Sequence, residues 1–141
     1  MSFLKSPQRL WLDIAVGIAL VTMLGFGSVF IYHLNNDARL VELSSAMAME
    51  GQRLSTEHGC IACHTVDGSI GIGPSWLGMW GHERRLKNGD TVVVDEAYFR
   101  RSIRSPEAQI VEGYPNVMLR YYMLDDEDIA ALIAFAQSLS D

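Results

Sequence analysis

The chain is poor in three things, and each shortage removes a class of reading. Basic residues are few: 11 Lys and Arg stand against 17 Asp and Glu, a formal net charge of −6 over 141 residues. A nucleic-acid binder carries a basic stripe or face, so no nucleic acid is expected as a partner. Cysteine is rarer still, with Cys60 and Cys63 alone. A structural zinc site takes four ligands, usually as two pairs, and no second Cys/His pair stands at a suitable spacing. The same count leaves no further cysteine pair for a binuclear copper site. Internal repeats and low-complexity tracts are also missing. The length then argues for one domain of roughly 100 residues with something added.

What is added lies at the N-terminus, where the 49% apolar composition is concentrated. Ile14 to Tyr32, "IAVGIALVTMLGFGSVFIY", is a run of 19 residues without a charge. As a helix it spans about 28 Å, close to the ~30 Å hydrocarbon core of a bilayer. Trp11 and Tyr32 bracket it, where amphipathic rings favour the headgroup layer. Lys5 and Arg9 flank one end, whereas in "HLNNDAR" at the other end Asp37 offsets Arg39. The positive-inside rule therefore predicts a cytoplasmic N-terminus, with everything from residue 33 on across the inner membrane. A cleaved secretory signal has an apolar core of only ~7–15 residues closely followed by a small-residue site. Here the nearest such pattern, Ala46-Met47-Ala48, is too distant, so an uncleaved single-pass anchor is expected. The resulting division is 1–33 cytoplasmic end and anchor, 34–45 a short polar linker, and 46–141 a soluble domain held near the membrane.

Within that domain, "AMAMEGQRLSTEHG" is rich in helix formers, and Gly59 is a plausible stop. Gly51 inside it weakens a helix unless another backbone packs closely there. Residues 66–81 are Gly-rich and read as loop. In "RRLKNGDTVVV" the Asn88-Gly89 pair predicts a hairpin with a type I′ turn. "DEAYFRRSIRSP" predicts a helix closed by Pro106, and "EAQIVEGYPNVMLRYYM" a loop. "DDEDIAALIAFAQSLSD" predicts the last helix, capped by Asp125 or Asp126. Its apolar stripe is Ile129, Leu132, Ile133, Ala136 and Leu139. Met123 is placed as a hydrophobic staple at its start.

"GCIACHT", residues 59–65, sits between these elements. A thioredoxin-like dithiol needs an alternating strand–helix context, which is absent, and a plain disulfide leaves His64 without a role. Cys-x-x-Cys-His is the attachment pattern of c-type haem, with one cysteine for each vinyl group and His64 beneath the ring. A haem also needs apolar walls, a partner for the histidine's second nitrogen, and a sixth ligand or an open position. Met79, Met118, Met123, His58 and His82 are the candidates for that position, His58 being too close to Cys60 to reach the opposite face.

Three separated motifs carry a family resemblance: "GCIACH", "GIGPSWLGMWG" and "IVEGYPNVMLRYYMLDDEDIAALIAFAQSL". From about Ala46 the chain resembles a class I cytochrome c. The stretch "DEAYFRRSIRSPEAQIVEGYPNVM" is especially similar to the haem-c domain fused to subunit II of bacterial haem–copper oxidases. The resemblance implies an all-α fold around one covalent haem c, with the hairpin as a small β insertion behind the transmembrane helix. It implies haem thioethers at Cys60 and Cys63, iron ligands His64 and Met118, and Pro74 accepting the His64 Nδ1–H. It places Trp76, Leu77, Trp80 and Tyr114 in the haem pocket, and Gly51 at a crossing of the first and last helices near Leu54 and Phe135. The family usually has proline after the axial methionine; here Leu119 and Arg120 follow Met118.

A His/Met iron has no free site, and the thioether favours the ferrous state. The function expected is a one-electron carrier or respiratory-complex subunit in the bacterial inner membrane, its haem domain periplasmic. It would take electrons from a quinol-oxidising complex or dehydrogenase and pass them toward a terminal oxidase, without being catalytic itself. The alternative is an open-iron gas sensor or reductase component. Charged runs at Arg84, Arg85 and Lys87, at Arg100, Arg101 and Arg104, and at Asp125–Asp128 are either solvated faces or docking surfaces. Small residues at Ala15, Ala19, Gly25 and Ser28 hint at a neighbouring membrane helix.

Overall fold

The computed structural model describes residues 7–140, and all their side chains except those of 7–10, 12–14 and 17. The chain is mostly helical: α1 Pro7–Glu57, α2 Cys60–Cys63, α3 Glu96–Arg104 and α4 Asp126–Ser138. A two-stranded antiparallel hairpin, β1 Glu83–Arg85 and β2 Thr91–Val93, precedes α3, and a 3-10 turn at Pro106–Ala108 follows it. The backbone forms two compact units, Met1–Glu42 and Leu43–Asp141.

The first unit is the leading part of α1. Among the described residues α1 begins at Pro7. From Ile18 onward α1 is, among the described residues, the one helix long and apolar enough to cross a membrane. Its described apolar side chains, among them Trp11, Leu24 and Tyr32, are exposed. Thr22 and Ser28 donate their hydroxyls back to the carbonyls of Ala19 and Gly25, each at 2.9 Å. Polar side chains in hydrocarbon need such internal partners. Lys5, on which part of the orientation reading rests, lies outside the described residues. The 34–45 segment, expected as a linker, is helical throughout. It holds no Pro or Gly, and its Leu, Ala, Arg and Glu residues continue the helix.

The second unit packs the end of α1 against α3, α4 and the loops between them. The core centres on Ile129 and Leu132, both fully buried, with Leu54, Phe99, Ile103 and Phe135 around them. Gly51 meets α4 directly. A Cβ built there would stand 2.0 Å from the Ala131 carbonyl oxygen and 2.8 Å from Phe135 Cβ. Only a glycine lets the two helices approach this closely, which offsets its poor helix propensity.

Local chemistry sets the element ends. Asp95 caps α3 by accepting from Tyr98 N–H at 2.8 Å, and Pro106 opens the 3-10 turn beyond it. Asp125 caps α4, accepting from Glu127 and Asp128 N–H at 2.9 and 2.8 Å, while Asp128 accepts from Asp125 N–H. This is a capping box built with Asp at its third position. The staple position before the cap belongs to Leu124, which is buried, and not to Met123, which is 68% exposed. With Asp125 as the cap, Leu124 and Ile129 take the two positions a staple joins, and Met123 falls one residue too early.

The hairpin turn also differs from expectation. A type I′ turn needs positive φ at both central residues, yet among the described residues no non-glycine residue has one; in this loop Gly89 alone does, at 93°. Gly89 N–H donates to the Leu86 carbonyl at 2.9 Å and Leu86 N–H to Asp90 at 2.8 Å. That is the three-residue loop closed by a left-handed glycine. Asn88 instead uses its side chain on Asp90, accepting from its N–H at 3.1 Å.

Candidate cofactor site

Gly59, at φ 71°, ends α1, and the single turn α2 carries both cysteines. Residues three apart share a helix face, so Cys60 and Cys63 open onto the same space. Both thiols are half-buried and not joined to each other. Burial raises the Cys60 thiol above its ordinary value, which keeps it protonated at neutral pH.

His64 leaves α2 in an extended conformation, and the following loop folds back over it. Gly73 N–H donates to Cys63 O at 3.0 Å and Trp76 N–H to Thr65 O at 2.8 Å. The Ser75 hydroxyl adds a second bond to Thr65 O at 3.0 Å. The His64 Nδ1–H donates to the Pro74 carbonyl at 2.8 Å. Proline has no N–H, and its carbonyl faces the ring. Nδ1 is thereby committed, leaving Nε2 as the ring's lone-pair nitrogen. Trp76 stacks on the imidazole, with centroids 5.5 Å apart. Burial lowers the His64 proton affinity, a bias the Pro74 bond only partly opposes. A neutral, oriented imidazole is the metal-ligating form.

Cys60, Cys63, His64, Pro74, Trp76, Tyr114 and Met118 all line one cavity of about 380 Å³. Most of the remaining wall is apolar, including Met79, Phe99, Ile103 and Leu132. Leu77 and Trp80, expected in the pocket, are not brought to it. Met79 N–H returns to Trp76 O, and this tight turn sends positions 76 and 79 inward. Leu77 is left 40% exposed, while Trp80 packs on the outer side of Phe99, 6.2 Å between centroids. Among the other sixth-ligand candidates, His58, His82 and Met123 do not line the cavity. Met79 does, as part of the turn that carries Trp76.

Met118 comes from the irregular segment between the 3-10 turn and α4, and three side chains tie that segment down. Arg104 Nη1 donates to the Leu124 and Tyr121 carbonyls at 2.6 and 3.2 Å. The Tyr121 hydroxyl donates to His58 O at 3.2 Å, joining the segment to the approach to α2. Arg120 pairs with Glu107 and donates to the Tyr122 hydroxyl at 3.2 Å. These bonds stand where the related pattern has a proline after the methionine.

The cytochrome c family model matches residues 48–140. The chain belongs to the cytochrome c family. It is also 33% identical over 106 residues to cytochrome c oxidase subunit 2 of Alkalihalophilus pseudofirmus, a match covering 72% of this chain. The chain spans only 28% of that relative's length. Membership implies a haem c and electron transfer.

The residues of this cytochrome c domain fit that group. Two unjoined thiols and a neutral, oriented imidazole face one apolar cavity. Gly73 lies flat against the imidazole: a Cβ there would stand 2.6 Å from His64 Cε1. That role of Gly73 is missed by sequence reasoning, although its place just before Pro74 is a signal. Tyr121 is missed as well, since a hydroxyl reaching back 63 residues leaves no local pattern.

The charged runs meet one another in part. Arg100 and Arg104 both approach Asp126, Arg104 at 3.3 Å, and Arg85 reaches Glu112 at 3.3 Å. Arg104 also donates through Nη1 to two backbone carbonyls. Arg100, Arg104 and Asp126 thus serve the seam between α3 and α4.

Proposed function

We propose that this cytochrome c is a membrane-anchored one-electron carrier, or the carrier subunit of a respiratory complex. In this reading Cys60 and Cys63 hold one haem c through thioethers, and His64 Nε2 and Met118 Sδ are its iron ligands. The observation that carries it is that His64, with Nδ1 committed to Pro74, and Met118 line the same apolar cavity. When bound, haem c supplies a reversible one-electron change at its iron. The chain's residues do the rest. The Pro74 carbonyl fixes the imidazole, and the thioether of Met118 favours the ferrous state. The apolar walls exclude water and disfavour added charge. Were His64 and Met118 both to ligate the iron, no place would be left for a gas or substrate, and in this reading the protein carries electrons and is not itself catalytic.

The relative's name, a cytochrome c oxidase subunit, supports a place in a respiratory chain. Electrons would enter from a quinol-oxidising complex or a dehydrogenase and leave toward a terminal oxidase. The apolar part of α1 would hold the chain in a bacterial inner membrane, N-terminus cytoplasmic and haem domain periplasmic.

The test is spectroscopic. The purified full chain is expected to show a weak near-infrared sulfur-to-iron band when oxidised, and no spectral shift with carbon monoxide when reduced. The Met118→Ala variant should lose the band and gain the shift. A carbon monoxide complex formed readily by the native protein would overturn the carrier reading. Co-purification from membranes, with partners identified by mass, would then name the donor and acceptor.

A further inference from the structure

The His64 ring has three close neighbours. Its Nδ1–H donates to the Pro74 carbonyl, and Gly73 lies on one face of the imidazole. The third is Trp76, whose indole stacks on the ring with centroids 5.5 Å apart and planes 27° from parallel. Trp76 is only 6% exposed, so this contact is shielded from water.

The fold, and not the imidazole, holds the indole in place. Trp76 N–H donates to Thr65 O at 2.8 Å, and the Trp76 carbonyl accepts from Met79 N–H at 3.4 Å. Its ring meets Phe99 of α3 at 5.4 Å and Phe135 of α4 at 6.1 Å between centroids. Both phenylalanines belong to the buried core. An indole wedged between two helices is a fixed wall against which the imidazole comes to rest. Trp80 also meets Phe99, at 6.2 Å, but has no ring contact with His64. The aromatic cluster thus has one tryptophan on the ligand and one away from it.

An aromatic face is the negative end of a quadrupole and attracts positive charge; indole does so most strongly, and more so where water is excluded. An imidazole that ligates iron carries more positive charge when the metal is oxidised than when it is reduced. An indole face against that imidazole therefore favours the ferric state. We infer that Trp76 is a positioning and potential-setting residue, which fixes the plane of the His64 ring and lowers the reduction potential through its π face. The inference rests on the proposed ligation of iron by His64 Nε2. In this arrangement Trp76 opposes the thioether of Met118, which favours the ferrous state.

The experiment compares the reduction potential of the full-length holo-protein with those of Trp76→Leu, Trp76→Phe and Trp80→Phe. Every variant keeps Arg84, the cation that lines the cavity, and Arg85, which pairs with Glu112, so no ionic charge changes. Haem content and the carbon monoxide test of the native protein check the ligation separately. Trp76→Leu removes the quadrupole and keeps the position apolar. It is expected to raise the ferrous-to-ferric ratio at fixed potential roughly fivefold, about 40 mV for one electron. Trp76→Phe, with a weaker face, should show part of that rise, and Trp80→Phe little of it. The ferric electron paramagnetic resonance g values report the orientation of an axial imidazole. They should shift in Trp76→Leu and stay native in Trp80→Phe. Should Trp76→Leu fail to take up haem, Trp76→Phe against Trp80→Phe carries both comparisons. An unchanged or lower potential in Trp76→Leu, native g values in that variant, or equal shifts in Trp76→Phe and Trp80→Phe would overturn the inference.

Discussion

Gly51→Ala sets two effects of opposite sign against each other. Replacing a mid-helix glycine by alanine raises intrinsic helix stability by about 1 kcal/mol. The tertiary contact acts the other way. The new Cβ would sit 2.0 Å from the Ala131 carbonyl oxygen and 2.5 Å from its carbon. Those atoms are α4 backbone and cannot rotate aside as a side-chain tip would. The α1–α4 crossing must therefore open by roughly 1 Å, loosening the contacts of Leu54 and Phe135. Overpacking costs typically ~1–3 kcal/mol, occasionally more, and a rigid obstacle puts this site at or above the upper end. The net is a loss of about 2 kcal/mol, or on the order of 10 °C in Tm for a domain of about 100 residues. Thermal unfolding of the haem-loaded protein, followed by Soret and far-ultraviolet circular dichroism, measures it. A Gly51→Ala protein as stable as the native one, or more so, would refute the reasoning. It would mean that helix propensity outweighs the crossing.

Two further predictions concern the segment that carries Met118. Arg104→Gln leaves the Leu124 and Tyr121 carbonyls short of a donor, worth about 1–2 kcal/mol at a partly exposed site. The near-infrared band should then melt at a lower temperature than the helical signal, and coincident melting as in the native protein would count against a holding role for Arg104. Glu107 has its carboxyl lowered below the ordinary range, first by its own backbone N–H and then by Arg120. A group lowered on folding contributes stability that is complete above its unfolded pKa, about 4.3, and is lost as pH falls through the lower folded value. Because the pair is exposed the effect is small. Acid titration of the band should show a component that Glu107→Gln lacks, and identical titrations would remove it.

Much of the fold was legible because its causes are local. The capping acids Asp95 and Asp125, the stop at Gly59 and the stripe along α4 act within a turn or two of themselves. Even so, Asn88-Gly89 announced the hairpin correctly but its turn type, read as I′, wrongly. Two loop conformations accept the same pair, and pairing of the strands selects between them. Leu124, and not Met123, is the staple because it alone directly precedes the Asp125 cap. Leu77 and Trp80 are as apolar as Trp76 and Met79, and composition cannot rank them. Only the Trp76–Met79 turn decides which two face inward.

By itself the sequence determined an apolar run of membrane-spanning length, the helices, and an attachment motif whose chemistry lies in five consecutive residues. These follow from backbone sterics, hydrophobic periodicity and ligand spacing, which act over short distances. Tertiary structure alone decided that Gly73 lies flat on His64, that Arg104 and Tyr121 tie down the Met118 segment, and that Arg84 faces the cavity while Arg85 does not. Each depends on the close approach of residues far apart in the chain. Such contacts are settled by which packing excludes water and pairs the polar groups, and they leave no periodic trace in the sequence.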